Sequence, residues 1–532
     1  MTTLFQFAFV FAVFPSSLLL WDVEGHRSCD LVKVAHGYAC RCNETYCDDV
    51  PALAPSSSDG YSFVLSTESG KRLEVQEAPP LDGDAQHDRR IVVDASKAYQ
   101  SIRGFGNAYT DAAAINFGKM SEKVQAQLLQ QYWGKYYSAQ FTVGRIPIAS
   151  TDFSTHVYSY DDNLNDTDLS QFSIDVDKTD ATGNKLGLIK RILATSEAAA
   201  RPISLFASCW APPTWMTSSG KTTGNPTLKP EMAAAYANYY VKFFDAYKKE
   251  GVSFWGLTAG NEPAGNTGKW QDLKFDAAGQ RDFIKNHLGP ALNASTHDLK
   301  LMILDDQRIH LPGWADTVLA DPEAAKYVSG IGLHWYSAVE DSTPSALYFG
   351  KMTSTHKNHP NTFMMGTEAC EGFLPWSQGA RIGDWTRGET YAHDILGDLN
   401  NWAVGWTDWN AFLDLSGGPN WAKNVVDSPI LLDTASSKTF YKNPMFYALS
   451  HFSAYIPPGS ERIDVQSTSE HIWEAKMETG AFRTPAGDVV IVVLNRVFTA
   501  TKFSIQSPFD ASKWFNYEMP AHSMATFKFS PK

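Results

Sequence analysis

The chain has 532 residues and a formal net charge of −13, and 43% of its side chains are hydrophobic. This length predicts about three domains around a large apolar core. Nucleic-acid binding needs clustered Lys and Arg, so the acidic balance and the lack of a basic run argue against a nucleic-acid partner.

The chain begins with an uncharged run from Leu4 to Leu20 that is rich in Phe, Val and Leu. Pro15 interrupts this run and a polar stretch follows it. Residues 1–25 are therefore predicted to be a secretory signal peptide rather than a membrane anchor. The sequence has no other run of 18 apolar residues, so we expect the mature chain to be soluble. Three sequons suit a secreted glycoprotein, at Asn43, Asn165 and Asn293.

Four of the six cysteines lie within 19 residues near the start of the predicted mature chain. In a secreted protein such a cluster predicts two disulfide bonds, and the sequence leaves all three pairings open. A zinc site is the alternative, but the irregular spacing does not match a zinc-binding pattern. The cysteines concerned are Cys29, Cys40, Cys42 and Cys47.

Extended apolar segments alternate with helical patterns between about Tyr99 and Trp409. Eight strands with crossover helices predict a (β/α)₈ barrel of the TIM type, and a doubly wound open sheet is the alternative. The predicted strands are Ser101–Phe105, Phe141–Ile148, Ile203–Ala207, Val252–Leu257, Lys300–Leu304, Gly330–Trp335, Thr362–Thr367 and Val404–Trp409.

Capping signals mark three helices within this alternation. One helix begins at Pro230 and ends before Gly251, and another follows Ser121 as its N-cap. A third pattern, Gln280–Leu288, is expected to stop at Gly289-Pro290.

The two flanks of the predicted barrel have the pattern of short strands. Ser62–Gln76 alternates as a hairpin around Ser69-Gly70, and turn residues separate several strands after Pro458. We expect both flanks to form one β-sandwich beside the barrel. The predicted C-terminal strands are Ile472–Met477, Asp488–Leu494, Thr501–Ile505 and Met524–Phe529.

Two glutamates follow predicted barrel strands, Glu262 after the fourth strand and Glu368 at the end of the seventh. Residues at the carboxyl ends of barrel strands face the active site. Two carboxylates about 5–5.5 Å apart are the constellation of a retaining glycosidase, in which one is the acid and the other the nucleophile. Mutual repulsion raises the pKa of one member of such a pair.

Other predicted strand ends carry groups that suit a sugar site. Carboxylates and amides bind hydroxyl groups, while indole rings pack on the apolar face of a pyranose. Cys370, two residues after Glu368, is interpreted as a buried thiol, and the sequence has no motif of a zinc protease or a serine esterase. The strand-end groups are Asp152, Trp210, His334-Trp335-Tyr336 and Trp406-Thr-Asp408-Trp409-Asn410.

These residues lie within longer motifs that are similar to a known family. The chain resembles the lysosomal glucosylceramidases, the acid β-glucosidases of retaining glycoside hydrolase family 30, over nearly the whole mature chain. The motifs that carry the resemblance are Cys40–Cys47, Gly104–Gly106, Thr258–Pro263, Leu304–Arg308, Asp321–Tyr327, Gly405–Asn410, Gly417–Trp421 and Val426–Ile430.

The resemblance implies that Glu262 is the acid/base and Glu368 the nucleophile. It also implies the disulfides Cys29–Cys40 and Cys42–Cys47. Gln307 and Tyr336 match residues that line the mouth of the pocket, and Asn261 would sit near the 2-hydroxyl of glucose. The residues expected to contact the glucose are Asp152, Trp210, Asn261, Trp409 and Asn424.

The resemblance further implies three folding units. These are a catalytic barrel of residues 98–410 plus 443–458, a β-sandwich of 51–97 plus 459–532, and a small disulfide-containing antiparallel sheet of 26–50 plus 411–442. The implied substrate is glucosylceramide held in membranes, with a saposin-type activator and anionic phospholipids as partners. The implied location is the lysosome, with plain secretion as the alternative, and no metal or cofactor is expected.

Three departures from the family pattern lie near the predicted site. Cys209 stands where the family has proline, Thr151 replaces a cysteine, and the segment Ala264–Phe275 is about three residues shorter. These three departures put in question the contacts with the lipid and with the activator that the resemblance implies. The alternative functions are a secreted β-1,6-glucanase or xylanase of the same fold, and a catalytically silent sugar-binding homologue.

Overall fold

The computed structural model describes residues 26–54, 59–336, 346–468 and 477–531. Across these ranges no helix combines the length and apolar character that crossing a bilayer requires. The predicted signal peptide, residues 1–25, lies outside the described residues, as does most of the predicted strand Ile472–Met477.

The described residues form strands and helices that alternate through the middle of the chain. The helices are α1 (Asp111–Gly118), α2 (Glu122–Trp133), α3 (Lys185–Ala198), α4 (Ala233–Lys249), α5 (Ala277–Phe283), α6 (Gly289–Ala294), α7 (Gly313–Leu319), α8 (Pro322–Ala325), α9 (Ala346–Asn358), α10 (Trp385–Asn400) and α11 (Pro444–Ser453).

The strands are β1 (Leu31–Val34), β2 (Gly37–Asn43), β3 (Tyr61–Thr67), β4 (Glu74–Gln76), β5 (Arg90–Ser101), β6 (Gly104–Ala108), β7 (Val143–Ile148), β8 (Ser204–Cys209), β9 (Gly256–Thr258), β10 (Lys300–Gln307), β11 (Val328–His334), β12 (Phe363–Glu368), β13 (Ala403–Asp408), β14 (Leu413–Asp414), β15 (Ile430–Asp433), β16 (Thr439–Lys442), β17 (Glu461–Thr468), β18 (Met477–Arg483), β19 (Val489–Asn495), β20 (Thr501–Ser507), β21 (Asp510–Met519) and β22 (Ser523–Phe529).

Strands β6 to β13 close into a parallel barrel of eight strands, which confirms the predicted fold class. Each predicted barrel strand overlaps an observed one, but the first is shifted, because Ser101 belongs to β5. Gly106 allows β6 and β7 to approach closely, since a Cβ there would lie 1.8 Å from the carbonyl oxygen of Val143. The Gly104-Phe-Gly106 motif therefore serves strand packing in the barrel wall.

The helix predictions hold at two places and fail at one. Ser121 caps α2, with its Oγ accepting from the Val124 amide, and a 3₁₀ turn at Pro230–Met232 leads into α4. The prediction that Gln280–Leu288 stops at Gly289-Pro290 is wrong. A π-helical turn, Ile284–Leu288, joins α5 to α6, so the helix continues through Gly289 and Pro290 as far as Ala294.

The two flanks form one nine-stranded sheet in the order β21-β20-β5-β17-β18-β19-β22-β3-β4. Although β3 and β21 lie far apart in this order, Phe63 contacts Phe515 at 5.4 Å between ring centroids, so the sheet folds over on itself as a sandwich. The hairpin pairs Phe63 with Gln76, as predicted. His451 of α11 fastens the sheet to the barrel through Ser66 and Thr526.

A small sheet combines β1 and β2, which precede the barrel in sequence, with β14 to β16, which follow its last strand; the order is β1-β2-β16-β15-β14. The disulfides join Cys29 to Cys40 and Cys42 to Cys47, the pairing that the resemblance implies. Lys442 of β16 is fully buried beneath this sheet. Its ammonium pairs with Asp48 at 2.8 Å and donates to Gln131 of α2 at 2.9 Å, so one buried charge ties the sheet to the barrel.

We predict that Asp48→Ala lowers the free energy of unfolding by about 3–5 kcal/mol, because it leaves the Lys442 ammonium buried without a counter-charge. Urea unfolding of the whole chain measures this. Asp30→Ala is the matched control, since Asp30 and Arg41 form an exposed pair in the same sheet and such pairs contribute about 1 kcal/mol or less. Equal effects of the two substitutions would contradict the prediction.

Candidate active site

A cavity of about 380 Å³ opens at the carboxyl ends of the barrel strands. Every residue that the resemblance assigns to catalysis or to the sugar pocket lines this cavity, although the residues come from the ends of seven strands and a distant loop. They are Asp152, Trp210, Asn261, Glu262, Gln307, Tyr336, Glu368, Trp409 and Asn424.

The two glutamates face each other across the cavity. A carboxylate oxygen of Glu262 lies within 4.8 Å of one of Glu368. Both oxygens of Glu368 accept hydrogen bonds, Oε2 from Arg145 and Oε1 from the Tyr336 hydroxyl at 2.9 Å. Burial raises the pKa of Glu368, and the charges of His334 and Arg145 act against that rise. These donors stabilise the ionised form of Glu368.

Glu262 is placed by a different set of contacts. Its backbone N–H donates to the carbonyl of Asp305 at 2.9 Å, and its φ of 46° is in the left-handed region. Oε1 accepts from Gln307 Nε2 at 3.1 Å and lies 3.3 Å from Nδ1 of His334. Oε2 forms no hydrogen bond to any of the described residues, which leaves it available to carry a proton.

Arg145 is the main residue of the site that the sequence analysis did not single out. It lies on β7 with no exposed surface, and it contacts Glu368, Asn261 at 2.8 Å and Asp305 at 2.9 Å. The guanidinium also lies 4.8 Å from the ring centroid of Trp210. A charge within the apolar strand Phe141–Ile148 was the available sequence signal.

His334 and Asp305 complete the polar floor of the barrel. Nε2 of His334 lies 3.2 Å from Oδ1 of Asp305. Burial opposes the charge on His334, but Glu368, Asp305 and Glu262 outweigh burial and raise its pKa to about 10. His334 therefore carries a proton on both nitrogens. His334, Glu262 and Glu368 have ligand atoms close enough for a metal ion, and binding one would require the imidazole to lose a proton.

One wall of the cavity combines indole rings with a carboxyl group. Trp210 and Trp409 stack with centroids 5.1 Å apart. Oδ2 of Asp152 accepts from the side-chain amides of Asn424 at 3.0 Å and Asn420 at 3.3 Å. Burial raises the pKa of Asp152 to about 7, so at acidic pH this group can both donate and accept hydrogen bonds.

Not every strand-end residue reaches the cavity. The expectation that all strand-end tryptophans serve the site is wrong for Trp335 and Trp406, which are buried in the core and donate to Cys370 O and to Asp394. Successive residues of a barrel strand face opposite sides, so Trp406 points toward α10 while Trp409 lines the cavity. Cys370 also lines the cavity, and burial raises its pKa, which keeps it a thiol as predicted.

The loop Ala264–Phe275 supplies a second wall that the sequence analysis noted only for its length. Asn266, Thr267 and Trp270 of this loop line the cavity opposite Phe373. The Gln271 side chain donates to Ser150 at 2.8 Å, which fixes the loop to the end of β7.

Comparison with known proteins agrees with this geometry. Residues 102–456 match the glycosyl hydrolase family 30 TIM-barrel domain and residues 459–527 match the family 30 β-sandwich domain. The chain belongs to glycosyl hydrolase family 30. The family-30 barrel and sandwich thus correspond to the two larger units of the fold.

Two relatives and one solved structure illustrate the similarity. The chain is 42% identical to the lysosomal acid glucosylceramidase of Mus musculus over 476 residues, which cover 88% of this chain and 89% of that protein. It is 40% identical to putative glucosylceramidase 4 of Caenorhabditis elegans, with 88% of each chain covered. SrfJ from Salmonella typhimurium has a TM-score of 0.79 at 25% identity, covering 89% of this chain and all of that one.

We predict that Asp152→Asn gains stability relative to the wild type as the pH rises from 4 to 7. The folded wild type keeps the buried carboxyl protonated up to about pH 7, whereas the unfolded chain ionises it near pH 4. The wild type therefore loses stability across this window, by on the order of 3 kcal/mol. Thermal unfolding of both proteins at several pH values measures the difference.

The exposed Asp298→Asn is the control for this series, since its side chain is 94% exposed, and its stability should follow that of the wild type at each pH. A constant difference between Asp152→Asn and the wild type from pH 4 to pH 7 would refute the prediction.

Proposed function

We propose that this family-30 protein is a retaining β-glucosidase that hydrolyses glucosylceramide to glucose and ceramide. The observation that carries the proposal is the separation of Glu262 and Glu368, whose nearest oxygens lie within 4.8 Å. Inverting enzymes hold their carboxyl groups about 6.5–9.5 Å apart to admit a water molecule, whereas retaining enzymes hold them at about 5–5.5 Å.

The proposed reaction is a double displacement. Glu368 attacks the anomeric carbon while Glu262 gives its proton to the glycosidic oxygen, so the bond between that carbon and oxygen breaks and ceramide leaves as an alcohol. Glu262 then takes a proton from water, whose oxygen attacks the same carbon and frees Glu368. Asn261 is proposed to bind the 2-hydroxyl, and Asp152, Trp210, Trp409 and Asn424 the rest of the glucose.

The shape of the site and the relatives favour this substrate over a polysaccharide. A cavity of about 380 Å³, walled by Trp210, Trp409 and the loop Ala264–Phe275, suits one sugar unit with its aglycone at the mouth. A β-1,6-glucanase or xylanase needs room for several sugars on both sides of the cleaved bond. A silent sugar-binding homologue would have no need for two such closely spaced carboxyl groups.

Exposed apolar side chains support contact with a membrane surface. Four of them lie on loops after β7, β10 and β12, at the cavity end of the barrel, and Leu415 follows β14 of the small sheet; the aromatic one, Trp376, is 70% exposed. We propose that these loops rest on a lipid surface, where anionic phospholipids and a saposin-type activator assist. The residues are Val157, Leu164, Ile309, Trp376 and Leu415.

The proposed destination is the secretory pathway and the lysosome, with plain secretion as the alternative. The uncharged N-terminal run, the two disulfides and the mouse relative support it. The side chains of Asn165 and Asn293 are exposed, which favours these two sequons as glycosylation sites. Asn43 is only partly exposed, so it is the less accessible sequon.

We predict that the wild type releases glucose from glucosylceramide in anionic vesicles at about pH 5 and that Glu368→Gln does not. An aryl β-glucoside with a good leaving group serves as the second substrate for both proteins. Glu262→Gln should lose activity mainly on substrates with poor leaving groups, because only those need an acid.

Normal turnover by Glu368→Gln would rule out the assigned nucleophile. Cleavage of the aryl glucoside without glucose release from the lipid would keep the glycosidase and reject the lipid substrate. Release of oligosaccharides from a β-1,6-glucan or a xylan would favour the polysaccharide alternative.

We predict that Trp376→Ser lowers glucose release from vesicles several-fold and leaves hydrolysis of a soluble aryl β-glucoside unchanged, because it removes an apolar anchor outside the cavity. Phe498→Ser is the matched control, since Phe498 is 76% exposed but lies on the sandwich. It should change neither activity. Equal effects of the two substitutions on vesicles would argue against a docking face around the cavity.

A further inference from the structure

Asp305 lies beneath the cavity with no exposed surface, and it does not line the cavity. Leu304 and Asp306 of β10 pair with two consecutive residues of β11. Asp305, which lies between them, is therefore the extra residue of a β-bulge. Leu304 and Asp305 have φ values of 64° and 58°, in the left-handed region. Bulges re-aim side chains beside active sites, and backbone strain of this kind persists where the surroundings enforce it.

The bulge turns the Asp305 carboxylate toward donors from four other barrel strands, of which two are neighbours of β10. Oδ2 accepts from Arg145 at 2.9 Å and from the Thr258 hydroxyl at 2.6 Å. Oδ1 accepts from the Thr367 hydroxyl at 2.6 Å and lies 3.2 Å from His334. Both oxygens are therefore fully occupied by the protein.

Gly332 of β11 leaves the space that this carboxylate fills. A Cβ at that position would lie 2.9 Å from Oδ1 of Asp305 and 3.0 Å from the hydroxyl of Thr367. A side chain on β11 would thus displace Asp305 from its donors.

The two cations held by Asp305 are the ones that contact the two catalytic glutamates. Arg145 donates through its other nitrogen to Glu368, and His334 presents Nδ1 to Glu262 at 3.3 Å. The Asp305 carbonyl also receives the backbone N–H of Glu262 at 2.9 Å. The buried Asp305 carboxylate is thereby connected to the nucleophile through Arg145 and to the acid/base through His334.

We propose that Asp305 is the positioning residue that aligns both catalytic glutamates, through Arg145 on one side and His334 on the other. Its charge also balances the floor of the site. With Glu262 protonated, the positive Arg145 and His334 match the negative Asp305 and Glu368, so the buried group is neutral. The proposal rests on the proposed glycosidase function.

Burial raises the pKa of Asp305, and the charges of Arg145 and His334 outweigh burial and bring it below its usual range. Asp305 is therefore ionised throughout the working pH range. Removing its charge takes away one of the carboxylates that raise the pKa of His334, so that pKa falls.

We predict that Asp305→Asn lowers kcat at least about 100-fold with a smaller change in KM, because misalignment of reacting groups by about 1 Å costs that much. The loss should appear on activated and unactivated glucosides alike, unlike that of Glu262→Gln. Thr367→Val, which removes one donor without removing charge, should lower kcat about tenfold.

Asp177→Asn is the matched control for a merely structural effect. Asp177 is equally buried, pairs with Lys185 at 3.1 Å and accepts from Tyr160 and Tyr247 at 2.6 Å each, but it does not line the cavity. Its replacement should lower the urea midpoint and leave the kcat of the folded enzyme unchanged.

Histidine NMR provides a readout that does not depend on the substrate. The pKa of His334, about 10 in the wild type, should fall in Asp305→Asn, because the replacement removes the carboxylate charge beside Nε2. If that variant does not fold, the kcat of Thr367→Val provides the test, and control-like kinetics in Thr367→Val would overturn the proposal, as would an unchanged His334 titration in folded Asp305→Asn. Normal turnover by Glu368→Gln would instead overturn the proposed function, and the comparison of His334 between the wild type and Asp305→Asn would still test the positioning role.

Discussion

The arrangement of the site depends on burying the guanidinium of Arg145 inside the barrel. Moving such a charge out of water costs several kcal/mol even after relaxation, and close partners must offset that cost. Asp305, Glu368 and Asn261 do so from three different strands, and the indole of Trp210 covers the guanidinium face. The position of Glu368, the proposed nucleophile, is thus a consequence of how one buried cation is satisfied.

The sequence predicts those parts of the barrel that follow from local pattern. Glu262 and Glu368 were found because parallel strands end at the same edge, and that rule needs no tertiary information. The inward direction of Arg145 depends on which face of β7 closes toward the barrel axis, which the pattern of a strand buried on both faces does not reveal. The same ambiguity explains why Trp406 and Trp409 could not be told apart.

The flanking units were predictable to different degrees. Strand β19 is a nearly continuous apolar run and was predicted, whereas β17 and β21 alternate polar and partly exposed residues and were missed. The pairing of β2 with β16 joins segments about 400 residues apart, and only the resemblance anticipated it. Contacts so distant in sequence leave no local signal, although side chains of β16 and the cysteines beside it pack into one hydrophobic core.

Burial also sets the charge of the cavity as a function of pH. It raises the pKa of both Asp152 and Asp306 to about 7, and both carboxyl groups lie close enough to the two glutamates to repel them when ionised. At acidic pH both groups are neutral, so the negative charge of the cavity resides mainly on Glu368, which Arg145 and His334 stabilise. Near neutral pH two further negative charges arise beside Glu368 and Glu262, which disfavours the ionised form of Glu368. The apolar walls that shape the sugar site therefore also make acidic pH the condition under which its charges are balanced.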